Sequence, residues 1–147
     1  MAKLTKSIEI EASPEKVWAF LSDIEKLNEI TKGFQEIEIT SKGPLGVGST
    51  GHIVGKAGGS QMEMDMEITE FEKNKKTVMR TIGGSKLKVQ YTDILEPTAK
   101  GTKLTRTFDY QLPYSILGKI IDKLRVSKDM EKRTEQVLRD TKKALET

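Results

Sequence analysis

Cysteine is absent from this sequence, and histidine and tryptophan occur once each. Without thiols there can be no disulfide, no thiolate metal site and no cysteine nucleophile. A lone histidine, His52, excludes a multi-histidine metal site, and a Ser-His-Asp triad would have to be built on it. Long apolar runs are missing too. The longest clean one is "VWAFL" at 17–21, against the roughly 20 residues that cross a bilayer. The opening "MAKLTKSIEIEAS" has no apolar h-region. These absences predict a cytoplasmic protein, neither spanning a membrane nor secreted. At 147 residues the chain reads most simply as one domain, 1–147, with a single core.

A strong charge of one sign is also lacking. The net charge of +3 comes from 25 basic and 22 acidic residues, and the excess lies in 114–147, where nine basic residues meet six acidic ones. They interleave, with Asp129/Arg133 and Glu135/Arg139 at i,i+4, which reads as a solvated helix face. A nucleic-acid surface needs a stripe of one sign, with aromatic platforms if it holds single strands. The sequence has neither, so no nucleic-acid partner is expected.

What is present is alternation. "SIEIEA" at 7–12 puts Ile8, Ile10 and Ala12 on one face of a strand. Ser13-Pro14 reads as N-cap and first helical residue. Val17, Phe20, Leu21, Ile24 and Leu27 then recur at helical spacing to about Ile30, and Ser22 with Glu25 offers a capping box. Two short helices with a break near Ser22 follow from this. Strands are predicted at about 34–42, 48–57, 61–72, 76–82, 86–96 and 102–112, parted by "GPLG", "GG", "KNK", "GG" and "PTAKG". From Tyr114 to Glu146 one helical pattern runs, its buried stripe marked by Leu117, Ile120, Ile121, Leu124, Thr134, Leu138, Thr141 and Leu145. Strands joined by short turns are antiparallel, and the terminal helix is the one element long enough to cover their apolar face. The fold class is therefore α+β: a seven-stranded curved antiparallel sheet around a long C-terminal helix.

"SPEKVWAFLSDIEKLNEI", then "GPLGVGSTG", a long acid-rich strand ending "ITEFE", "GTKLTRTFDYQLP" and a closing amphipathic helix resemble, in that order, the START-related polyketide cyclase and lipid-transport superfamily (SRPBCC) with its helix-grip fold. The resemblance covers essentially the whole chain. It departs from many relatives at Ile30, where they carry tryptophan, and near Asn28, where they carry proline. It implies a hydrophobic cavity between sheet and long helix that holds a lipid, polyketide, quinone-like or other apolar molecule. It implies no shared catalytic residue.

The residues can be placed independently of that resemblance. In "QMEMDMEITEFE" (61–72), Met62, Met64, Met66 and Ile68 share one side of a strand, and Glu63, Asp65, Glu67 and Thr69 the other. If Gly58-Gly59 is a two-residue turn, Gly55 opposes Met62, Ile53 opposes Met64 and Gly51 opposes Met66. Two glycines opposite two methionines leave room on the inner face, and methionine suits irregular gaps and varied partners. These side chains touch either the long helix or a molecule held beneath it. The same register sets His52 against Asp65 on the outer face, as a structural partner.

The strands at 86–112 carry a second pattern. If Thr98 pairs with Gly101, then Leu95 faces Leu104, Asp93 faces Arg106, Tyr91 faces Phe108 and Val89 faces Tyr110, all on one face. One acid and one base sit opposite each other on an otherwise apolar surface. They are either a polar anchor, with Arg106 or Tyr91 offered to a ligand carboxylate, phosphate or carbonyl, or a cross-strand salt bridge near the open sheet end. Arg80 points inward or outward according to whether the Gly83-Gly84 turn holds two residues or three.

Two glycine-rich stretches carry no nucleotide site. "TGHIVGKAG" has Thr50 where a P-loop needs glycine and Ala57 where it needs Ser or Thr, and it lies within a strand. "GPLGVGSTG" is a hairpin connection. The stretch "YSILGKIIDKLRV" is amphipathic and somewhat basic, which suits either a core-facing lid or transient docking on a membrane surface through Ile116 and Ile120.

The expectation is a protein, monomeric or weakly dimeric, that encloses a small hydrophobic ligand with no cofactor, no metal and no catalytic residue. Its cavity would be lined by Leu27, Ile30, Met62, Met64, Met66, Val89, Tyr91, Phe108 and Tyr110. Leu117, Ile120, Ile121 and Leu124 would close it from the helix, and Asp93 with Arg106 would anchor the ligand. Two other classes remain open: a cyclase or aromatase working in the same cavity through Asp93, Arg106 and Tyr91, and a protein-interaction or assembly module.

Overall fold

A computed structural model describes residues 2–57, 60–84, 87–111 and 120–147. Strand β1 (Ala2–Ile10) is followed by helices α1 (Pro14–Leu21) and α2 (Ile24–Ile30), then by strands β2 (Gln35–Ile39), β3 (Thr50–Ala57), β4 (Ser60–Glu72), β5 (Lys76–Thr81), β6 (Lys88–Pro97) and β7 (Thr102–Gln111), and last by helix α3 (Ile120–Glu146). The seven strands form one sheet in the order β1-β7-β6-β5-β4-β3-β2, every neighbour antiparallel. This is the helix-grip arrangement, with α1 and α2 carrying the chain from one sheet edge to the other. No helix among the described residues is long and apolar enough to cross a membrane.

Local chemistry sets the helix starts. The Ser13 hydroxyl accepts from Lys16 N at 3.3 Å, ahead of Pro14 at the first helical position. The second cap falls one residue later than expected. Asp23 accepts from Lys26 N at 3.2 Å, while Ser22 closes α1. An aspartate caps as well as a serine does and adds a charge that favours the helix N-terminus. In the turn between β4 and β5, Asn74 takes a left-handed conformation at φ 65°, which asparagine tolerates better than most residues. At the outer edge, the Asn28 amide donates to Ile37 O and accepts from Ile37 N, both at 2.8 Å. A side chain thus completes the free edge of β2, where an unpaired strand would invite aggregation.

Both predicted hairpin registers are present: Gly51↔Met66, Ile53↔Met64 and Gly55↔Met62 in one, Leu95↔Leu104, Asp93↔Arg106, Tyr91↔Phe108 and Val89↔Tyr110 in the other. Several details differ from expectation. Strand β1 starts at Ala2 and pairs with β7 from Ala2↔Tyr110 to Ile10↔Thr102, which puts Lys6 beside Arg106. Strand β2 ends at Ile39. Strand β4 carries a bulge between Ile68 and Glu70. Strict alternation would turn Phe71 outward with Glu67 and Thr69. One extra residue flips the phase, and the Phe71 ring packs 4.8 Å from Trp18. Arg80 is exposed, opposite Glu67 and Gln90.

Among the described residues, most of the buried apolar side chains form two clusters. One holds Met64, Met66, Val89, Phe108, Tyr110 and Val126, and the other Ile10, Val17, Trp18, Leu95, Leu104 and Leu138. A polar row separates them. On three adjacent strands, Asp93, Arg106 and Lys6 stand side by side, each between apolar neighbours two residues away. Lys6 and Arg106 tolerate this proximity because each has its own acid. Lys6 Nζ reaches Glu131 at 2.8 Å and Glu135 at 3.0 Å on α3, and Arg106 is held by Asp93.

His52 faces outward as expected, with Nδ1 2.9 Å from Asp65 Oδ1. That hydrogen bond raises the imidazole above its ordinary pKa against the opposing effect of desolvation, and the charges of Asp65, Glu63 and Glu38 add to the rise. A raised folded-state pKa stabilises the fold fully below the ordinary imidazole value, and the contribution is lost as pH climbs through the folded value. NMR titration of this sole histidine should give a midpoint above that of a free imidazole. Asp65→Asn should lower it, and an unchanged midpoint in that variant would remove Asp65 as the cause.

Candidate functional site

Among the described residues, two cavities lie between the sheet and the helices. The larger, about 120 Å³, runs under α1 and α2 from Leu21, Ile24 and Leu27 past Ile37 and Ile39 to Met66, Phe71 and Met79. The smaller, about 90 Å³, lies between Phe34, Gly55, Met62 and Met64 on one side and Met130, Arg133 and Thr134 of α3 on the other. Gln35, Ile53, Tyr91, Arg106 and Val137 line both, so these five residues form the wall between the two spaces. Each cavity by itself is of the order of an engineered cavity of about 150 Å³ that admits benzene. A molecule filling both would be elongated.

The methionines divide between the two spaces. Met62 and Met64 line the smaller cavity and Met66 the larger, and Met64 and Met66 also belong to the core cluster that includes Val126 of α3. They touch the helix side of the core and the cavity alike. The two glycines opposite them work by leaving space. Gly51 lines the larger cavity and Gly55 the smaller, and a Cβ on Gly51 would already approach Glu38 O to 3.2 Å.

The dividing wall holds the charge. Arg106 donates from Nε to Asp93 Oδ1 at 2.8 Å and from Nη2 to Asp93 Oδ2 at 2.9 Å, a bidentate pair with each side chain 15% exposed. Burial works to lower the pKa of the guanidinium, but the charge and hydrogen bonds of Asp93 outweigh it, and the net direction is upward. The Arg106 guanidinium carbon also sits 5.9 Å from the centre of the Tyr91 ring, which packs 4.5 Å from Phe108. Burial raises the Tyr91 phenol pKa, with the Arg106 charge opposing it, so the hydroxyl stays protonated and able to donate. A neutralised ion pair and a neutral phenol therefore stand beside the apolar Ile53 and Val137 of the wall. This arrangement suits a carbonyl or hydroxyl of a ligand better than a second full negative charge, since Asp93 already satisfies the cation.

The other predicted wall residues separate by position. Leu27 lines the larger cavity, whereas Ile30 is half-buried at the end of α2 and borders neither. Phe108 borders the smaller one. Val89 and Tyr110 are core side chains that reach neither, and the Tyr110 hydroxyl donates to Ser127 Oγ at 2.9 Å, tying β7 to α3. Leu124 is a correction: it is 58% exposed while Val126 is 2% exposed. Two residues span about 200° of an α-helix at 3.6 residues per turn, so a sheet-facing Val126 turns Leu124 to the outside. Leu117 lies outside the described residues, as do the side chains of Ile120 and Ile121.

Several site residues were not anticipated. Continuing the β1 alternation backward from Ile10 and Ile8 would have placed Lys6 on the inner face. Phe71 depends on the bulge, and nothing in the sequence marks it. Phe34 and Arg133 are 99 residues apart by number, yet the Arg133 guanidinium carbon lies 4.6 Å from the centre of the Phe34 ring. The i,i+4 spacing had paired Arg133 with Asp129 instead. The aromatic ring takes the cation because Phe34 closes the sheet side of the smaller cavity directly beneath α3.

Compared with known proteins, residues 1–146 match the family model described as polyketide cyclase / dehydrase and lipid transport. No curated protein matches the chain. Among solved structures, the protein TTHA0849 of Thermus thermophilus is similar with a TM-score of 0.83 at 22% identity, over 98% of this chain and 97% of that one. The Zhui aromatase/cyclase from Streptomyces sp. R1128 gives a TM-score of 0.79 at 12% identity, over 99% and 93%. The di-domain aromatase/cyclase BexL of the BE-7585A biosynthetic pathway gives 0.77 at 14%, over 99% of this chain and 50% of that one. At these identities the solved structures establish the shared fold.

Proposed function

The chain belongs to the polyketide cyclase / dehydrase and lipid transport family, and from that membership and its paired cavities we propose that it binds a small hydrophobic or amphipathic molecule between sheet and α3. The observation that carries the proposal is the wall shared by the two spaces. Apolar Ile53 and Val137 share it with Gln35, Tyr91 and Arg106, and Asp93 neutralises Arg106 from the larger cavity. Affinity would come mainly from apolar burial, at about 25 cal/mol per Å² before ordering costs, and orientation from the pair and the phenol. A cytoplasmic carrier or store is the simplest setting.

Native mass spectrometry of protein purified from its own host, followed by extraction of anything bound, tests this directly. A stoichiometric apolar adduct is expected. Met64→Glu, which puts a charge into the smaller cavity, and Met62→Phe, which fills it without one, should each weaken binding of a fluorescent fatty-acid probe by about tenfold, roughly 1.4 kcal/mol. Unchanged affinity in variants that keep the native circular dichroism spectrum would remove the cavity from the account.

A cyclase reading has one observation in its favour, the inward trio Asp93, Arg106 and Tyr91, which could position a folded chain for ring closure. It ranks second because both Asp93 oxygens already accept from Arg106, which occupies the carboxylate a general base would need. A poly-β-ketone analogue incubated with wild type and Tyr91→Phe discriminates: turnover lost in the variant would favour the enzyme.

A further inference from the structure

We propose that the smaller cavity is the head-group end of the binding site, and that the protein selects amphiphiles bearing one anionic head, a carboxylate or phosphate. The inference rests on the binding reading above and adds a ligand class and an orientation to it. The charges of the two cavities differ. The charges facing the larger are Asp93 and Arg106, which pair with each other, whereas among the described residues the smaller is bordered by Lys56, Arg106 and Arg133 and by no acidic residue. Asp93 neutralises Arg106 through both of its oxygens, which leaves Lys56 and Arg133 as the uncompensated charge of the smaller space.

Those two cations are also available. Among the described residues neither forms an ion pair, and neither side chain has a hydrogen-bond partner. The one ring contact is that of Arg133 with Phe34, 4.6 Å from guanidinium carbon to ring centre. A guanidinium resting on an aromatic face keeps its edge N–H donors free for an oxyanion. Phe34 is itself buried, so the ring is a fixed seat and the cation gives up little freedom on binding. Lys56 is exposed and shares the outward phase of His52 on β3, but it borders the same cavity, so its long side chain can reach a head group only from the rim. The surroundings are apolar, Met62, Met64, Leu87 and Met130, where an unpaired anion would be costly and a paired one well held. An apolar body starting at this head would pass Tyr91 and Arg106 into the larger cavity, whose one inward acid, Asp93, is already paired with Arg106.

The test uses three probes of equal chain length, dodecanoate, dodecyl phosphate and dodecanol, each displacing a neutral polarity-sensitive dye from the full chain. Wild type is expected to bind at least one anionic probe ten times more tightly or better than the alcohol. Lys56→Gln/Arg133→Gln should lose that preference while alcohol binding changes less than twofold, and Lys56→Arg/Arg133→Lys should restore much of it. Raising salt should weaken the anions and spare the alcohol. The two anionic arms then show which head is read. Equal binding of acid, phosphate and alcohol by wild type would overturn the inference and leave the binding reading standing, as would a preference that survives the double glutamine variant. Failure of all three probes to bind would overturn both.

Discussion

Asp93→Leu is expected to destabilise the protein by about 3 kcal/mol, because it strands the Arg106 guanidinium between two apolar clusters. At roughly 3 °C per kcal/mol for a chain of this size, the melting temperature should fall by about 10 °C. The reverse change, Arg106→Leu, should cost less. Asp93→Leu leaves a permanent cation with its whole fork of donors unmet, since arginine cannot shed its proton in a protein, whereas the smaller carboxylate left by Arg106→Leu has fewer hydrogen-bonding atoms to satisfy. The double change Asp93→Leu/Arg106→Leu, which removes the charges together, should be more stable than Asp93→Leu alone and within about 1–2 kcal/mol of wild type. Urea unfolding of the four proteins closes this cycle. If Asp93→Leu lies within about 0.5 kcal/mol of wild type, the cavities hold enough water to solvate the guanidinium, and the pair counts as a surface bridge. That result would also weaken its assigned role as the polar point of an apolar site.

The pair shows what kind of information the sequence carries. Asp93 and Arg106 were placed opposite each other from one turn, Thr98 to Gly101, because a two-residue connection fixes every partner on both strands. The same held for Gly51, Gly55 and the methionines. Registers set by short turns could be read because their determinants are local. Contacts made across the core could not. Arg133 has Asp129 one turn away in sequence and Phe34 beneath it in space, and spacing reveals only the first. Leu124 shows a related limit. A stripe drawn along a helix from residue spacing assumes one buried face throughout, but α3 crosses a curved sheet, and near its start the face is set by Val126. The bulge in β4 is a third case. It inserts one residue for the sake of the Trp18–Phe71 contact, and the alternation on either side gives no sign of it.

The division of the core by charge gives the site its shape. Apolar clusters on both sides of the Asp93–Arg106–Lys6 row pack against α1 and α3, and the row between them cannot pack in the same way, because its members must find partners in the plane of the sheet or on α3. Space remains where the apolar contacts stop. The cavity wall lies along Arg106 and Tyr91 for that reason. Removing the charges in the double variant should therefore reduce ligand orientation more than ligand affinity, since most of the apolar lining is untouched.

The second large effect lies at the far end of the same hairpin. Gly101→Ala is expected to cost about 3 kcal/mol or more, at or above the upper end of ordinary overpacking. "PTAKG" reads in the sequence as a turn, and any small polar residue would serve a turn. The structure gives the glycine a stricter reason. A Cβ at this position would overlap Ile10 O and would stand 2.7 Å from Ala12 N and 2.8 Å from Ala12 O. All three are backbone atoms, so no side chain can rotate away. They belong to the chain leaving β1 for α1, which is pinned at this point by the buried Thr102 hydroxyl donating to Ala12 O at 2.7 Å. Relief would require β1 to part from β7 at Ile10↔Thr102 or the Thr102 bond to break, and either would disturb the fully buried Ile10 and Leu104. The change should lower the urea midpoint sharply and release amide exchange at Ile10, Ala12 and Thr102 first. Ala99→Gly, in the same turn, serves as a control and should shift stability by less than about 1 kcal/mol. A Gly101→Ala protein as stable as wild type would mean that the β1–α1 junction yields easily, and the junction could then not hold α1 and α2 in place over the larger cavity.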